Sequence, residues 1–550
     1  MHRIPSRPLT FAVSILGLLS TSTTAQLPIP LSDEFQVNLD TTDRQTAPAL
    51  AALDDGRFVV VWESRYDATP VDPDTSFESV HGRLFDGDGV GAPEQFRVNS
   101  TTAGEQYSAR VAGRQDGSFV VVWSDQSGGN DVAAQRFLAD GTPAGAELRV
   151  NQATAGSQFD ADVAADPHGG FVVVWTSDGP TGYDRVDGGV FGATGSTPVT
   201  EFVASDLTTS NNQSPSIAMA GDGSFHVAWA FDDNYFEIRA RSFDDSGVPS
   251  AGSFQVDTTT GYGNYRPRIA HTGDDPVVAW SHESIQSGAG LRAQRIEAST
   301  GVLLGPELIP HLSTSLQQSG SVAQFEDGSF VVVWVGNESL DSFGSPLDTD
   351  GSSIQMRLFD PAGVAIGTTE LQVNQDTANP QTDPEVLAQP DGSFVVVWSG
   401  FDLSSSSRGI RGRRFGLDSD ADGIANPLDN CPFTSNGDQA DADLDDEGDV
   451  CDECTDTDGD GFGDPGFPAN TCDDDTCPGF DDNLDVDGDG LPNGCDLCFG
   501  DNGTGDADGD GLCADRDCDE ADPTNTSAAC RVFGDGFETG DTSAWSLTGG

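Results

Sequence analysis

The chain has 550 residues and a formal net charge of -66, and all 25 of its basic residues are arginine. That length is too great for a single core, so two or more domains are expected. The acidity argues against a nucleic-acid partner, and a chain without lysine builds neither a Walker-type phosphate loop nor a Schiff-base enzyme.

Arg3 and Arg7 precede the apolar run "LTFAVSILGLLS" at 9–20, and small residues end at Ala25. This is the pattern of a cleavable signal peptide, assigned to 1–25. No later stretch approaches the ~18 apolar residues of a membrane span, so a secreted or cell-surface protein with no transmembrane segment is expected.

From residue 33 one phrase recurs. Trp62, Trp123, Trp175, Trp229, Trp280, Trp334 and Trp398 each close a run such as "FVVVW". Asp-Gly at 55–56, 116–117, 222–223, 327–328 and 391–392 supplies the hairpin turn before it. A strand such as "AAQRF" and a phrase such as "ELRVN" follow, making four strands per unit, the content of a propeller blade. "EFQVN" at 34–38 is a fourth-strand phrase with no blade before it, and the seventh unit stops after its third strand, "IRGRRF" at 410–415. The orphan fits the vacancy. An all-β, seven-bladed propeller over 33–416, closed by its N-terminal strand, is predicted. The tryptophans are read as filling the gaps between blades, with a sugar-stacking platform as the rival reading.

Each unit also carries an amide: Gln45, Gln106, Gln158, Asn212, Asn264, Gln317 and Gln381. These are read as satisfying a carbonyl and an N–H of the chain as it crosses between blades, against a ring offered to a ligand. Blade-specific carboxylates after the tryptophans are the candidates for catalysis: Glu63, Asp67, Asp232, Asp233, Glu283, Glu338 and Asp341. They share no readable spacing, and His168, His226, His271 and His282 lack ligand spacing.

After residue 416 the composition changes. From 417 onward there are 38 acidic residues against Arg516 and Arg531, and all ten cysteines fall between Cys431 and Cys530. Carboxylates at the first, third and fifth places of a loop, followed by glycine, converge on one hard cation, Ca²⁺. Asp418, Asp420, Asp422, Asn426 and Asp429 match, as do Asp485, Asp487, Asp489, Asn493 and Asp496. Three further loops depart from the pattern. Asp456, Asp458, Asp460 and Asp464 lack an acidic twelfth residue, and Asp506, Asp508, Asp510 and Asp517 have alanine at the ninth place. In the third, Asp441, Asp443, Asp445, Asp449 and Asp452 frame Asp446 where glycine belongs. Rival readings are a disordered acidic tail, and zinc at "CDEC" (451–454) and "CDLC" (495–498).

The phrase 418–452, with its Asp loops, "DNCP" and closing "GDVCD", resembles a thrombospondin type 3 repeat, a similarity that extends to about 520. It implies several calcium ions in loops wrapped by a nearly structureless backbone. It also implies disulfides between successive cysteines: Cys431 with Cys451, Cys454 with Cys472, Cys477 with Cys495, Cys498 with Cys513, and Cys518 with Cys530. The propeller units resemble repeats common in large secreted bacterial proteins, which implies no activity. A calcium-binding segment at 417–530 and a sorting or capping tail at 531–550 complete the expected organisation. The expected function is an exported, non-catalytic, ligand-binding propeller on a calcium-stiffened acidic stalk, with a protein or glycan as the ligand. The alternative is a secreted glycosidase or lyase using blade-specific carboxylates.

Overall fold

The phrase Phe-Val-Val-Val-Trp has no polar face, so a strand made from it must be covered on both sides. A computed structural model describes residues 28–485 with 491, 492 and 495, except for 42–43, 54–55, 66–77, 115, 194, 196, 234, 260–262, 274, 285–287, 314–316, 337–351, 402–406 and 421. In it the phrase forms the second strand of each of seven antiparallel sheets, as in Phe58–Arg65, Phe119–Asp125 and Phe171–Asp178. The protein is an all-β, seven-bladed propeller followed by a disulfide-bearing segment. Six blades are four-stranded meanders in chain order, spanning 44–97, 106–149, 158–203, 212–255, 263–308 and 317–372.

The seventh blade takes Thr382–Ala388, Ser393–Phe401 and Arg408–Gly416 from the far end of the repeats and its outer edge from the N-terminal side. Phe35–Gln36 pairs with Arg408–Gly416 in the register Phe35↔Gly412 and Gln36↔Arg411, and Ile29–Pro30 pairs with the same strand at Gly416 and Phe415. Asn38 Oδ1 accepts the N–H of Ile410 at 2.7 Å. Val37, fully buried, joins Phe58, Val60 and Trp62 of blade one to Val395, Val397 and Ile410 of blade seven. The expected closure is therefore the observed one, and it covers the outer edge of Arg408–Gly416.

The blades adhere through apolar faces. Trp123 of blade two shares one buried cluster with Val59, Val61, Val80 and Val98 of blade one. All seven repeat tryptophans are at most 3% exposed, so they fill interblade gaps and none presents a ring to a ligand. Polar clamps reinforce the joints at the outer strands. Glu147 Oε2 accepts the N–H groups of Ser100 and Thr101 at 2.7 and 3.2 Å, and Glu307 Oε2 accepts that of Thr258 at 2.9 Å. Glu34, on the closing strand, does the same for Gln375 and Asp376 at 2.9 and 3.1 Å.

The chain divides into two compact units, the first holding the propeller and ending at Ala421 with Ala425–Pro427 added, the second comprising Asp422–Ile424 and Leu428 onward. The described part of the second unit is built of turns and bends stapled by Cys431–Cys451, Cys454–Cys472 and Cys477–Cys495. These are the first three pairs of the sequential scheme, and they leave no cysteine pair available to zinc among the described residues. No helix among the described residues is long and apolar enough to cross a membrane.

Candidate functional site

The acidic loops repeat one hydrogen-bond plan. The first-place aspartate accepts N–H groups from the fourth and sixth places: Asp456 takes Gly459 and Gly461 at 2.7 Å each, and Asp441 takes Leu444 and Asp446 at 2.7 and 3.2 Å. The ninth-place side chain reaches back to the second N–H: Asp449 to Ala442 at 2.7 Å, Asp464 to Thr457 at 3.1 Å, Asn426 to Ser419 at 2.9 Å. The sixth place needs a left-handed backbone, which Gly461 supplies at φ 95° and Asp446 adopts at φ 76° despite its side chain.

Within the second unit this plan brings acidic oxygens to within 4.8 Å of one another in four groups: Asp441, Asp443 and Asp445; Asp445, Glu447 and Asp452; Asp456, Asp458 and Asp460; Asp460, Asp475 and Asp482. The oxygens that the loops leave over decide what the groups are suited to. Asp443 Oδ1, Asp452 Oδ2, Asp482 Oδ1 and both oxygens of Asp458 are sealed from solvent without a hydrogen-bond partner, and Asp452 as a whole is only 4% exposed. A buried, unpartnered carboxylate oxygen is costly unless a cation satisfies it. Burial and the neighbouring carboxylates push the acids of Asp443, Asp458 and Asp475 above the usual range. A hard, oxygen-seeking divalent ion suits this donor set, and its charge would cancel the repulsion.

Glu447, Asp475 and Asp482 are not among the ligands read from the sequence. Asp475 supplies the outer carboxylate that the Asp456 loop lacked at its twelfth place; it stands at the twentieth. The available signal was the cysteine two residues on. Asp429, Asp452 and Asp475 each accept the N–H of such a cysteine, Cys431, Cys454 and Cys477, at 2.9, 2.7 and 2.5 Å. Of the Asp418 loop, Asp418, Asp420 and Asn426 belong to the first unit, and Asp422 and Asp429 to the second. Asp485 is half-buried. Asp487, Asp489, Asn493, Asp496, Asp506, Asp508, Asp510 and Asp517 lie outside the described residues, as do Cys498, Cys513, Cys518 and Cys530.

In the propeller, every first strand makes the same bulge against the second, as where Thr46↔Glu63 is followed by Ala49↔Val61. One residue of each bulge is left-handed without being glycine: Ala47, Ser108, Asp160, Ser214, Arg266, Ser319 and Asp383, at φ 50–54°. These seven surround a cavity of about 370 Å³ at the mouth of the central channel. Left-handed non-glycine backbone costs ~1–2 kcal/mol per residue, so neighbouring structure must hold it. The residue after the tryptophan does so. Ser124, Thr176, Ser281 and Ser399 each accept the N–H of the left-handed residue of the next blade, all at 3.2 Å.

Glu63 occupies that position in blade one and accepts the N–H of Ser108 at 2.6 Å. Burial raises its carboxyl to about 7, against the lowering effect of that hydrogen bond. Deeper in the channel, Glu385 lies 3.3 Å from Arg268 and 3.7 Å from Arg110, and accepts the Ser321 hydroxyl at 2.7 Å. Burial and the facing Arg268 lower the Arg110 guanidinium. The channel mouth therefore joins Glu63, Asp160, Asp383 and Glu385 to Arg110, Arg266 and Arg268.

Among the other blade-specific carboxylates, Glu283 is exposed in an adjoining groove, where it accepts the Tyr265 hydroxyl at 3.3 Å. Asp232 and Asp233 end the strand Phe225–Asp233. Asp67, Glu338 and Asp341 lie outside the described residues. The other charged channel residues were missed, although each falls two or four places after a repeated amide. The amides themselves are at most 2% exposed, and Gln317 lines the groove that also holds Glu283. Gln106 and Gln381 donate to carbonyls of the crossing chain as expected, at 3.0 Å to Ala103 and 3.2 Å to Ala378. Their oxygens take side chains instead of backbone N–H groups: Gln45 takes the indole of Trp62 at 2.7 Å, and Gln158 takes Asn151 at 3.0 Å. Of the seven histidines, His226 and His271 pack ring against ring at 5.0 Å, while His282 bonds Asn264 at 2.8 Å and His168 bonds Asp166 at 3.0 Å.

No family model and no curated protein matches the chain. Among solved structures, a protein of unknown function from Dyadobacter fermentans DSM 18053 is similar at 10% identity and TM-score 0.42, over 70% of this chain and 98% of that one. A polysaccharide lyase of the PL25 ulvan lyase family is similar at 10% identity and TM-score 0.44, over 70% and 95%. The GH93 alpha-L-arabinofuranosidase of Fusarium graminearum is similar at 10% identity and TM-score 0.38, over 70% and 97%. Likeness at this level says nothing about what this chain binds.

Proposed function

We propose that the chain is an exported, non-catalytic calcium-binding protein in which a ligand-binding propeller is carried by an acidic segment that calcium folds. The observation that carries the calcium half is the set of sealed, unpartnered oxygens on Asp443, Asp452, Asp458 and Asp482. Asp441, Asp443, Asp445, Glu447 and Asp452 would hold ions in one loop, and Asp456, Asp458, Asp460, Asp475 and Asp482 in the next. The ions would supply positive charge and fix loop geometry; no reaction is assigned to them. Extracellular calcium modules work at roughly 10⁻⁴–10⁻³ M, and that range is expected here.

Calorimetric titration of the full chain with calcium tests the reading. Asp458→Asn and Asp452→Asn should each lower the number of ions bound. A wild-type chain that takes up no calcium at millimolar concentration contradicts it.

A catalytic second reading is favoured by one observation, the Glu63 carboxyl that burial raises to about 7 inside a channel holding three further carboxylates. A group poised there can give or take a proton at neutral pH. Cleavage of a polysaccharide that Glu63→Gln abolishes would establish it.

A further inference from the structure

We propose that the channel mouth is the propeller's ligand site and that its ligand is an uncharged oligosaccharide, laid from the channel axis outward over blade five. This rests on the ligand-binding half of the reading above and is independent of the calcium half.

Arg110 and Arg268 share Glu385, and Asp162 acts electrostatically on both arginines. Nearer the opening, Asp160 and Asp383 stand with Arg266, and Glu63 is poised between its neutral and charged forms. Carboxylates outnumber guanidinium groups, but both signs line the same mouth. A phosphate or sulfate would meet Asp160, Asp383 and Glu385, and an ammonium or metal ion would meet the guanidinium groups, each at the cost of desolvating like charges. A hydroxyl both donates and accepts, so it can bond a carboxylate, a guanidinium and the hydroxyls of Ser108, Ser214 and Ser319 alike. Pro48, Pro215 and Pro384 add apolar C–H surface to the same wall, which suits the C–H faces of a sugar ring.

A further cavity of about 430 Å³ shares Ser214, Arg266 and Ser319 with the first, so the two adjoin at these residues. Tyr265 lies in this extension, its ring packed on Phe236 at 4.9 Å between centroids and its hydroxyl bonded to Glu283. A fixed aromatic ring beside polar groups offers a stacking surface with little ordering cost. Arg266 sits where the cavities meet, placed to bond a chain that passes from one to the other.

The test uses the full chain in calcium-containing buffer. Calorimetry is run against neutral hexasaccharides of β-1,4-linked glucose, xylose and mannose, an oligogalacturonide, a sulfated hexasaccharide and a chitosan hexamer. At least one neutral member should bind saturably, at least as tightly as any charged one. Arg266→Ala and Tyr265→Ala should each weaken it by about tenfold or more, the loss expected of a central contact. Ala47 already adopts the conformation of Arg266 in blade one, at φ 51°, so Arg266→Ala should fold, and its melting curve provides the control. Absence of saturable binding by every neutral member, preference for a charged one, or affinities unchanged in both variants overturns the proposal. Cleavage of a bound neutral member, slowed by Arg266→Ala, would keep the site and overturn the non-catalytic reading. Calcium uptake by the same chain is read separately, so the two halves fail independently.

Discussion

Position 63 carries glutamate where four other blades carry serine or threonine, and all five side chains hold the N–H of the next blade's bulge. The hydrogen bond belongs to the scaffold, while the buried charge belongs to this blade alone. Burial, opposed by the Ser108 hydrogen bond and aided by Glu78, puts its folded-state carboxyl at about 7 against an ordinary 4.5. An acid raised on folding leaves stability intact below its unfolded value, and the cost grows as pH rises through the folded one. Glu63→Gln should therefore melt like the wild type near pH 4 and be more stable near pH 8, by on the order of 2–3 kcal/mol. Thermal melts across that range check it; a difference independent of pH would contradict the assignment. Asp446 is a second residue under constraint, left-handed at φ 76° where the neighbouring loop has Gly461. Asp446→Gly should stabilise the second unit by ~1 kcal/mol in calcium, read by calorimetric melting. The departure at 446 was legible in the sequence. Its backbone cost was not, because a pattern of residue types carries no dihedral angle.

At the scale of the strand, the repeated phrase was enough to specify the blades, because an apolar run closed by tryptophan can only be covered on both faces. "EFQVN" specified the closure for the same reason: a fourth-strand phrase without a blade must find one. Glu34 binds this strand to blade six through Gln375 and Asp376, and Arg411 lies 3.7 Å from its carboxylate. Glu34→Ala should cost ~1–3 kcal/mol, since the two N–H groups lose their charged acceptor. Removal of 26–38 should do far more, exposing the edge of Arg408–Gly416 and causing aggregation. Denaturant titration of the first variant and light scattering of the second check these outcomes. The bulges were not legible because their left-handed residues are alanine, serine, aspartate and arginine, types that carry no signal of a positive φ. Arg110, Arg268 and Glu385 escaped for a different reason, since they come from first strands of blades two, five and seven, and only ring closure brings them together.

For the whole molecule, the two units draw on different sources of order. The propeller buries apolar strands and closes its own ring. The described part of the second unit has three disulfides, little apolar cover and sealed carboxylate oxygens that no protein group satisfies. Its loops were legible as alternating aspartates. Asp475 was displaced from the expected place by the longer segment before it, and Asp482 enters through the fold of the following turn. Calcium should therefore govern the second unit and leave the first untouched. Limited proteolysis of the oxidised full chain, with calcium and with a chelator, measures this most directly. Chelation is expected to open cleavage sites within 428–485 while 29–416 persists as a resistant fragment. The same cleavage pattern in both conditions, with the disulfides intact, would contradict the account.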